Sequence, residues 1–295
     1  MWRSPATATT PTIARMTSNA IVLLDELLKD REKERAGAPL PLDEAFELFS
    51  FEQALKDNEL SPDEIADGQV GGGEDGGIDG IYTFLNGNLI AEDSEVLEEH
   101  FDASTVRRGP SLVLVVVQAK QSASFAETPF EKLQTTFSEI LELAKTEQEL
   151  LELFSSDLVE RVEIFRTAWH RLSTRHPQIA IRVVYASKGD TRAANEKVHT
   201  RAARIKDFIT TTIPKAEADV VFLGARELVD LAGRERSYTL QLAYRETATD
   251  DDSHIALVAL DDYFNFIADD TGALRRYIFD WNVRDYEGLR QPTRA

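Results

Sequence analysis

The 295-residue sequence contains no cysteine. This absence excludes disulfide scaffolds, thiolate nucleophiles, zinc fingers and iron–sulfur clusters. Long apolar runs are also missing: Leu112 to Val117, a run that no other exceeds in length, is far shorter than the ~20 residues that cross a bilayer. The chain does not open with the charged, apolar and small-residue succession of a secretory signal. The sequence therefore predicts a soluble protein without membrane contact, and a reducing, cytoplasmic location is compatible with it.

Basic charge is scarce in this chain. There are 33 Lys and Arg residues against 52 Asp and Glu residues, and the net charge of −19 argues against polyanion binding by the whole surface. The distribution is uneven, because residues 1–110 carry −14 (9 basic, 23 acidic) and residues 161–210 carry +7 (11 basic, 4 acidic). The basic segment predicts either a nucleic-acid contact or a solvated helical face. Its candidate residues are Arg161, Arg166, Arg171, Arg175, Arg192, Arg201, Arg204 and Lys206.

Apolar spacing and turn residues predict alternating helices and strands. Helical spacing runs from Ser18 to about Glu34, and a second helix opens at Leu42 or Asp43. Residues 67–77 include six glycines in eleven positions, which predicts a loop. The predicted strands are Ile78–Leu85, Asn88–Glu92, Ser111–Lys120, Gln178–Ser187 and Asp219–Leu223. The predicted later helices are 129–144, 148–154, 158–174, 191–212 and 225–232.

This order predicts an α/β fold with a three-layer mixed-sheet core flanked by helices, followed by a smaller α+β unit. In the smaller unit, Ser237–Tyr244 and Ile255–Leu260 are predicted as strands and Glu246–Ser253 as a charged loop. The chain thus divides into a Thr/Pro/Ala-rich disordered leader (1–17), the main domain with its N-terminal helix (18–235) and a C-terminal region (236–295).

Three polar residues at strand ends form the strongest chemical pattern. Asp79 stands at the start of a strand beyond the glycines, while Gln118 and Lys120 end the most apolar strand of the chain. Residues two apart on a strand point to the same face, so Gln118 and Lys120 project together. Such groups at the end of a buried strand are costly unless they have partners. We therefore expect an acid, an amide oxygen and an ammonium to converge.

Phosphodiester hydrolysis gives these three groups a joint purpose. A carboxylate and an amide oxygen are ligands for Mg²⁺, for which Mn²⁺ can substitute. The metal polarises the phosphoryl oxygen and lowers the pKa of bound water, and a lysine stabilises the developing charge. The pattern therefore predicts a metal-dependent nuclease.

The motifs Gly76–Gly80 (Gly-Gly-Ile-Asp-Gly) and Val117–Lys120 (Val-Gln-Ala-Lys) resemble the Mrr-type branch of the PD-(D/E)XK nucleases. The resemblance implies a restriction-endonuclease-like core. It also implies that Asp79, Gln118 and Ala119 are metal ligands and that Lys120 positions water or the transition state. A Glu on the preceding helix completes such sites, and Glu47 is the preferred candidate, with Glu52 as the alternative.

Two further stretches, Ile65–Gly68 (Ile-Ala-Asp-Gly) and Phe279–Gly288, resemble motifs of the AIPR (abortive infection phage resistance) family. Members of that family carry an N-terminal Mrr-like nuclease domain before a larger C-terminal region, so this chain is expected to be a truncation or an unusually short member. The resemblance implies a nucleic-acid substrate, DNA in preference to RNA, and a defence role in the cytoplasm. It leaves open a homo-oligomer and a phage-encoded trigger.

A different class of function stays open from the sequence. Gln118 replaces an acidic residue and removes a charge from the metal site, so a degenerate binding or sensor module is the alternative to an enzyme. The glycine loop lacks the Gly-Lys-Ser/Thr ending of a nucleotide-binding P-loop. Its acids Asp67, Glu74 and Asp75 lack EF-hand spacing, and we expect them to be solvated turn residues.

Overall fold

The computed structural model describes residues 12–35, 39–58, 60–234, 242–250 and 253–268. The helices of this part of the chain are α1 (Thr12–Glu34), α2 (Leu42–Ala54), α3 (Pro62–Asp67), α4 (Thr128–Ile140), α5 (Glu147–Leu151), α6 (Ser156–Leu172), α7 (Glu196–Thr212), α8 (Ala225–Ala232) and α9 (Leu260–Ile267). The strands are β1 (Gly80–Leu85), β2 (Asn88–Leu89), β3 (Ser111–Lys120), β4 (Gln178–Ser187), β5 (Glu217–Leu223), β6 (Glu246–Asp250) and β7 (Ser253–Leu257). Short 3₁₀ helices lie at Lys56–Asn58, Glu95–Leu97, Ala103–Thr105, Ser173–Arg175 and Thr191–Ala193.

The described residues fall into two units. One holds residues 12–35, 39–58 and 65–234, and the other holds residues 60–64, 242–250 and 253–268. The first unit contains a five-stranded sheet in the order β2-β1-β3-β4-β5, and the second contains the two-stranded sheet β6-β7. The fold is therefore of the mixed α/β class that the element order predicts.

The five-stranded sheet is mixed in direction. β1 is antiparallel to both β2 and β3, whereas β3, β4 and β5 are parallel to one another. Gly80 is paired with Val117, and Lys120 is paired with Ser187. As a result, the start of β1 and the carboxyl ends of β3, β4 and β5 meet at one edge of the sheet.

Helices cover both faces of this sheet. Leu112, Leu114 and Val116 alternate along β3 and join a large apolar core with residues of α4, α6 and α7. The intervening Val115 and Val117 are also buried, and α2 packs against β3 on their side together with α1 and α8. The unbroken apolar run of β3 thus reflects burial on both faces.

The hairpin between β1 and β2 forms at Asn86 and Gly87, where the sequence predicts it. Both residues have positive φ angles, 52° and 93°. Two central residues with positive φ match the twist of a tight antiparallel hairpin. The returning strand is shorter than predicted, because it ends at Leu89 and not at Glu92.

Several predicted boundaries hold and others do not. β3, β4 and α8 have the predicted bounds, and α1 begins at Thr12 rather than Ser18. Ile13 and Met16 continue the apolar helical spacing of α1 toward the N-terminus. Of the predicted disordered leader, residues 12–17 therefore lie in α1, and residues 1–11 lie outside the described residues.

The prediction for the second unit is partly confirmed, because β7 includes residues 255–257 of the predicted strand Ile255–Leu260, and it is wrong for the charged segment before it. Of the segment Glu246–Ser253, predicted as a loop, Glu246–Asp250 form β6 and Ser253 begins β7, and the two strands pair antiparallel. Its β-branched Thr247 and Thr249 favour a strand, while the acidic residues suggested a solvated loop. Of the predicted strand 237–244, residues 242–244 are irregular and the rest lie outside the described residues, as do 279–288. Leu260 begins α9 instead of ending a strand.

Among the described helices, each is too short or too polar to cross a lipid bilayer.

Candidate functional site

Asp79 is positioned by the pairing of β1 with β3. Its N–H donates to the carbonyl oxygen of Val117 at 3.0 Å, and its own carbonyl accepts from the N–H of Val70 at 2.9 Å. The β1–β3 ladder ends at the pair Gly80 and Val117, so Asp79 and Gln118 lie just beyond it at the sheet edge. There the side-chain amide of Gln118 donates to the carboxylate of Asp79.

Both carboxylate oxygens of Asp79 contact residues of β3. Oδ2 accepts a hydrogen bond from the backbone N–H of Ala119 at 2.7 Å and another from the side-chain amide of Gln118. Oδ1 lies 3.6 Å from Nζ of Lys120. The structure therefore places the predicted acid, amide and ammonium in one cluster, and Ala119 joins them through its N–H.

The cluster is buried at one end and open at the other. Asp79 is 5% exposed and Gln118 is 1% exposed, whereas the side chain of Lys120 is 46% exposed. Electrostatic interactions are stronger in the poorly solvated part, where the carboxylate lies. An anion from solvent can thus reach the ammonium while the carboxylate stays shielded.

The charge state of Asp79 is set by opposing influences. Burial raises the pKa of Asp79 above its ordinary value, and the negative charge of Asp75 acts in the same direction. The positive charge of Lys120 and the hydrogen bonds from Ala119 and Gln118 lower it. Residues of β3 thus supply the groups that favour the ionised carboxylate.

Helix α2 adds a second carboxylate, Glu47. Its Oε2 accepts a hydrogen bond from Nε2 of Gln69 at 3.2 Å. Burial, followed by the negative charge of Asp79, raises the pKa of Glu47 to about 7, against the opposing effects of Gln69 and Lys120. Because Gln69 is bridged to Gly80, which follows Asp79, this hydrogen bond brings Glu47 to the same end of β1, where the charges of Asp79 and Lys120 act on it.

Glu52, the alternative acid, faces elsewhere. It forms an ion pair with Arg31 of α1. Glu47 and Glu52 are five positions apart, so they point ~140° away from each other around the helix. Glu47 is therefore the glutamate of α2 that lies beside Asp79.

The cluster offers oxygen atoms suited to a divalent cation. The carboxylates of Asp79 and Glu47, the amide oxygen of Gln118 and the carbonyl of Ala119 are hard donors of the kind Mg²⁺ and Mn²⁺ prefer. The negative charge of Asp79 raises the pKa of Glu47, and a bound cation would relieve that repulsion. Within the described residues, no group of three or more His, Cys, Asp or Glu is placed to hold a metal. A cation here would therefore need the neutral oxygens as well, and Oε1 of Gln118 lies on the Gly77 side while Nε2 is bonded to Asp79.

The glycine loop makes close contact with α4. Gly76 and Gly77 have φ angles of 61° and 80°, and an added Cβ would lie 2.5 Å from Oγ1 of Thr136 or 2.9 Å from Cβ of Lys132, respectively. The hydroxyl of Thr136 donates to the carbonyl of Gly76 at 2.7 Å. The N–H of Gly77 donates a hydrogen bond to Oδ1 of Asp75 at 2.7 Å. Glycine is required here because the backbone packs directly on α4 in the left-handed region.

Gln69 is a site residue that sequence reasoning missed. It forms an isolated antiparallel bridge with Gly80, which brings its amide to Glu47. Its neighbours, Gly68 and Val70, show no period of a helix or strand that would mark it. Its contact with α2 depends on long-range packing, so no local signal could have identified it.

Many residues of the basic segment have partners within the protein. Arg166 is 5% exposed and donates to the carbonyls of Ile140 and Glu142 at 2.9 Å, so its assignment to a solvated or nucleic-acid-binding face is wrong. Other members have protein partners: Arg171 donates to Val96, Arg192 pairs with Asp190, Arg201 with Glu131, and Lys206 with Asp219. The segment therefore does not act as one free cationic face.

Comparisons of this chain with protein-family models, with curated proteins and with solved structures give no match.

Proposed function

We propose that this protein is a metal-dependent nuclease that hydrolyses phosphodiester bonds of DNA, in preference to RNA. The observation that carries the proposal is the contact of Asp79 with Gln118 and Lys120, drawn from two paired strands at one sheet edge. Glu47 stands beside them from α2. Acid, amide and ammonium in one cluster, partly open to solvent, are groups that metal-assisted phosphodiester hydrolysis can use.

Each residue has a role in this proposal. Asp79, Glu47, Gln118 and Ala119 would hold Mg²⁺ or Mn²⁺ through oxygen atoms. When bound, the cation supplies Lewis acidity and lowers the pKa of bound water. Lys120 attracts the substrate phosphate and stabilises the charge that develops on it, because its ammonium is open to solvent.

The proposed reaction is direct hydrolysis. Water attacks phosphorus, the bond from phosphorus to the leaving sugar oxygen breaks, and that oxygen takes up a proton. None of the four side chains at the cluster is a serine, threonine or cysteine nucleophile. The proposal assigns the attack on phosphorus to water and no nucleophilic role to Asp79, Glu47 or Lys120.

The fold is proposed from the resemblance at residues 76–80 and 117–120, and the biological role from the AIPR-like stretches at residues 65–68 and 279–288. The observed sheet is compatible with a restriction-endonuclease-like core, because the antiparallel pairing of β1 with β3 brings residues 76–80 next to residues 117–120. The AIPR-like stretches favour a cytoplasmic role in phage defence by abortive infection, with a phage-encoded trigger. The long-range pairing of Asp79 with β3 supports the nuclease part of this proposal most directly.

Cleavage by the purified full chain tests the proposal. Supercoiled plasmid and labelled RNA are incubated with Mg²⁺, Mn²⁺ or EDTA, and products are resolved on gels. We expect metal-dependent nicking or cutting of DNA that Asp79→Asn and Lys120→Ala reduce by at least ~100-fold. Lys206→Ala and Asp219→Asn remove a distant exposed ion pair with the same charge changes, and they should leave cleavage intact.

Folding is checked for every variant by circular dichroism and thermal denaturation. Retained cleavage in folded Asp79→Asn and Lys120→Ala would overturn the site. Absence of cleavage with every metal and both substrates would overturn the nuclease.

The second candidate is a nuclease-like module that binds without cutting. The neutral Gln118 favours it, because an amide holds a cation less strongly than a carboxylate. Such a module would bind DNA in both the presence and absence of metal, with no product formed. Measuring binding and cleavage on the same DNA therefore separates the two functions.

A further inference from the structure

Lys132 of α4 lies close to the candidate site, on the side of the sheet toward which the side chain of Gln118 projects. Gln118 shares the β3 face of Val116 and Leu114, which is the face that packs against α4. Gly77 lies between helix and site: a Cβ on Gly77 would be 2.9 Å from Cβ of Lys132 and 3.5 Å from Oε1 of Gln118. The stem of Lys132 therefore starts within one side-chain length of the cluster.

The acidic residues near Lys132 do not form ion pairs with it, because they contact other groups. Glu131 binds Arg201 of α7 at 2.7 Å, and Glu127 lies 3.9 Å from the same guanidinium. Asp75 accepts the N–H of Gly77. Lys132 is exposed, and within the part of the chain that the structure describes it takes part in no ion pair. Its ammonium is thus available to an anion from solvent.

We propose that Lys132 is a substrate-binding residue whose ammonium contacts a DNA phosphate next to the one held at Lys120. The inference rests on the proposed function and adds a second cation on the α4 side of the site. A lysine is a flexible point charge suited to a phosphate that carries no sequence information. On a protein with a net charge of −19, such local cations are needed to hold a polyanion.

A matched pair of variants tests this role. Lys132→Gln removes the charge near the site. Lys215→Gln makes the same change at the turn before β5. Because β5 runs parallel to β3 and β4, this turn lies at the edge of the sheet opposite the site. Binding of a fluorescently labelled DNA duplex is measured by anisotropy in EDTA, where metal-dependent cleavage cannot proceed, at several salt concentrations.

We expect Lys132→Gln to weaken binding about five- to tenfold and to lower the slope of log Kd against log salt by about one, as for a lost phosphate contact. Lys215→Gln should change neither, and Lys132→Arg should restore binding. Thermal denaturation confirms that each variant folds.

The outcomes separate this inference from the proposed function. Wild-type protein that binds and cuts DNA, together with unchanged affinity and slope in Lys132→Gln, would overturn the role of Lys132 and leave the nuclease standing. Equal weakening in Lys132→Gln and Lys215→Gln would also overturn it, because it would show a general charge effect. Wild-type protein that neither binds nor cuts DNA would overturn both.

Discussion

The backbone N–H of Ala119 donates to Oδ2 of Asp79 at 2.7 Å. The acid that precedes β1 is therefore held by the main chain of β3, whatever side chain stands at position 119. Because this bond does not involve the side chain of Gln118, the contributions of the amide and the main chain can be separated experimentally. Position 118 is consequently the place to alter the charge of the site without detaching Asp79.

Gln118→Glu should make the stability of the protein depend on metal. The new carboxylate lies beside buried Asp79, so we expect the metal-free variant to lose on the order of 2 kcal/mol of unfolding free energy. Mg²⁺ should recover this loss by bridging the two acids. Thermal denaturation with Mg²⁺ and with EDTA measures both effects.

Gln178→Glu is the control for that experiment, because Gln178 is the exposed first residue of β4. It should show little loss and no added response to Mg²⁺. The account of the cation site fails if Mg²⁺ stabilises Gln118→Glu no more than it stabilises this control.

Gly77→Ala should destabilise the protein more than Gly72→Ala. Both glycines have φ near +80°, but a Cβ at Gly72 meets nothing within 4 Å, whereas at Gly77 it meets Lys132 at 2.9 Å. The left-handed conformation alone costs about 1 kcal/mol for alanine, so Gly72→Ala measures that part. Urea denaturation should show a further loss of about 1–2 kcal/mol in Gly77→Ala. Equal losses would mean that the loop does not pack on α4.

Glu47→Gln should change stability in a pH-dependent way. The pKa of Glu47 rises from 4.5 to about 7 on folding. The folded protein therefore holds this proton more tightly than the unfolded chain, and stability falls as pH rises from about 4.5 to 7. Without metal, Glu47→Gln should match wild type at pH ~4 and exceed it by about 1 kcal/mol at pH ~8, after allowance for solvent screening.

Denaturation of metal-free protein across this pH range measures the difference, with Glu52→Gln as the matched variant on the same helix. A stability difference in Glu47→Gln that stays constant with pH would contradict the placement of Glu47 beside Asp79. At sub-saturating Mg²⁺, cleavage by wild type should also increase as pH rises toward about 7, because cation and proton compete for Glu47.

The sequence was sufficient to predict the central strands and the polar cluster, because both follow from the pattern of neighbouring residues along the chain. Apolar runs define β3 and β4, and the period of two places Gln118 and Lys120 on one face. The sequence could not decide between Glu47 and Glu52. Which of them faces the site depends on the rotation of α2 about its axis, and tertiary packing sets that rotation. The contact of Gln69 with Glu47 and the approach of Gly77 to Lys132 likewise join distant segments.

The second unit shows a different limit. Acidic residues around Thr247 and Thr249 suggested a solvated loop, yet these residues pair in a hairpin. Strand preference in a short exposed pair depends on its cross-strand partner, which composition does not reveal.

The most direct test of the central claim is to locate Mn²⁺ in crystals of the protein by anomalous scattering. The account predicts one peak in coordination contact, ~2.0–2.3 Å, with oxygen atoms of Asp79 and Glu47, and loss of that peak in Asp79→Asn. A well-ordered sheet edge without a peak at saturating Mn²⁺, or a peak that persists in Asp79→Asn, would contradict it.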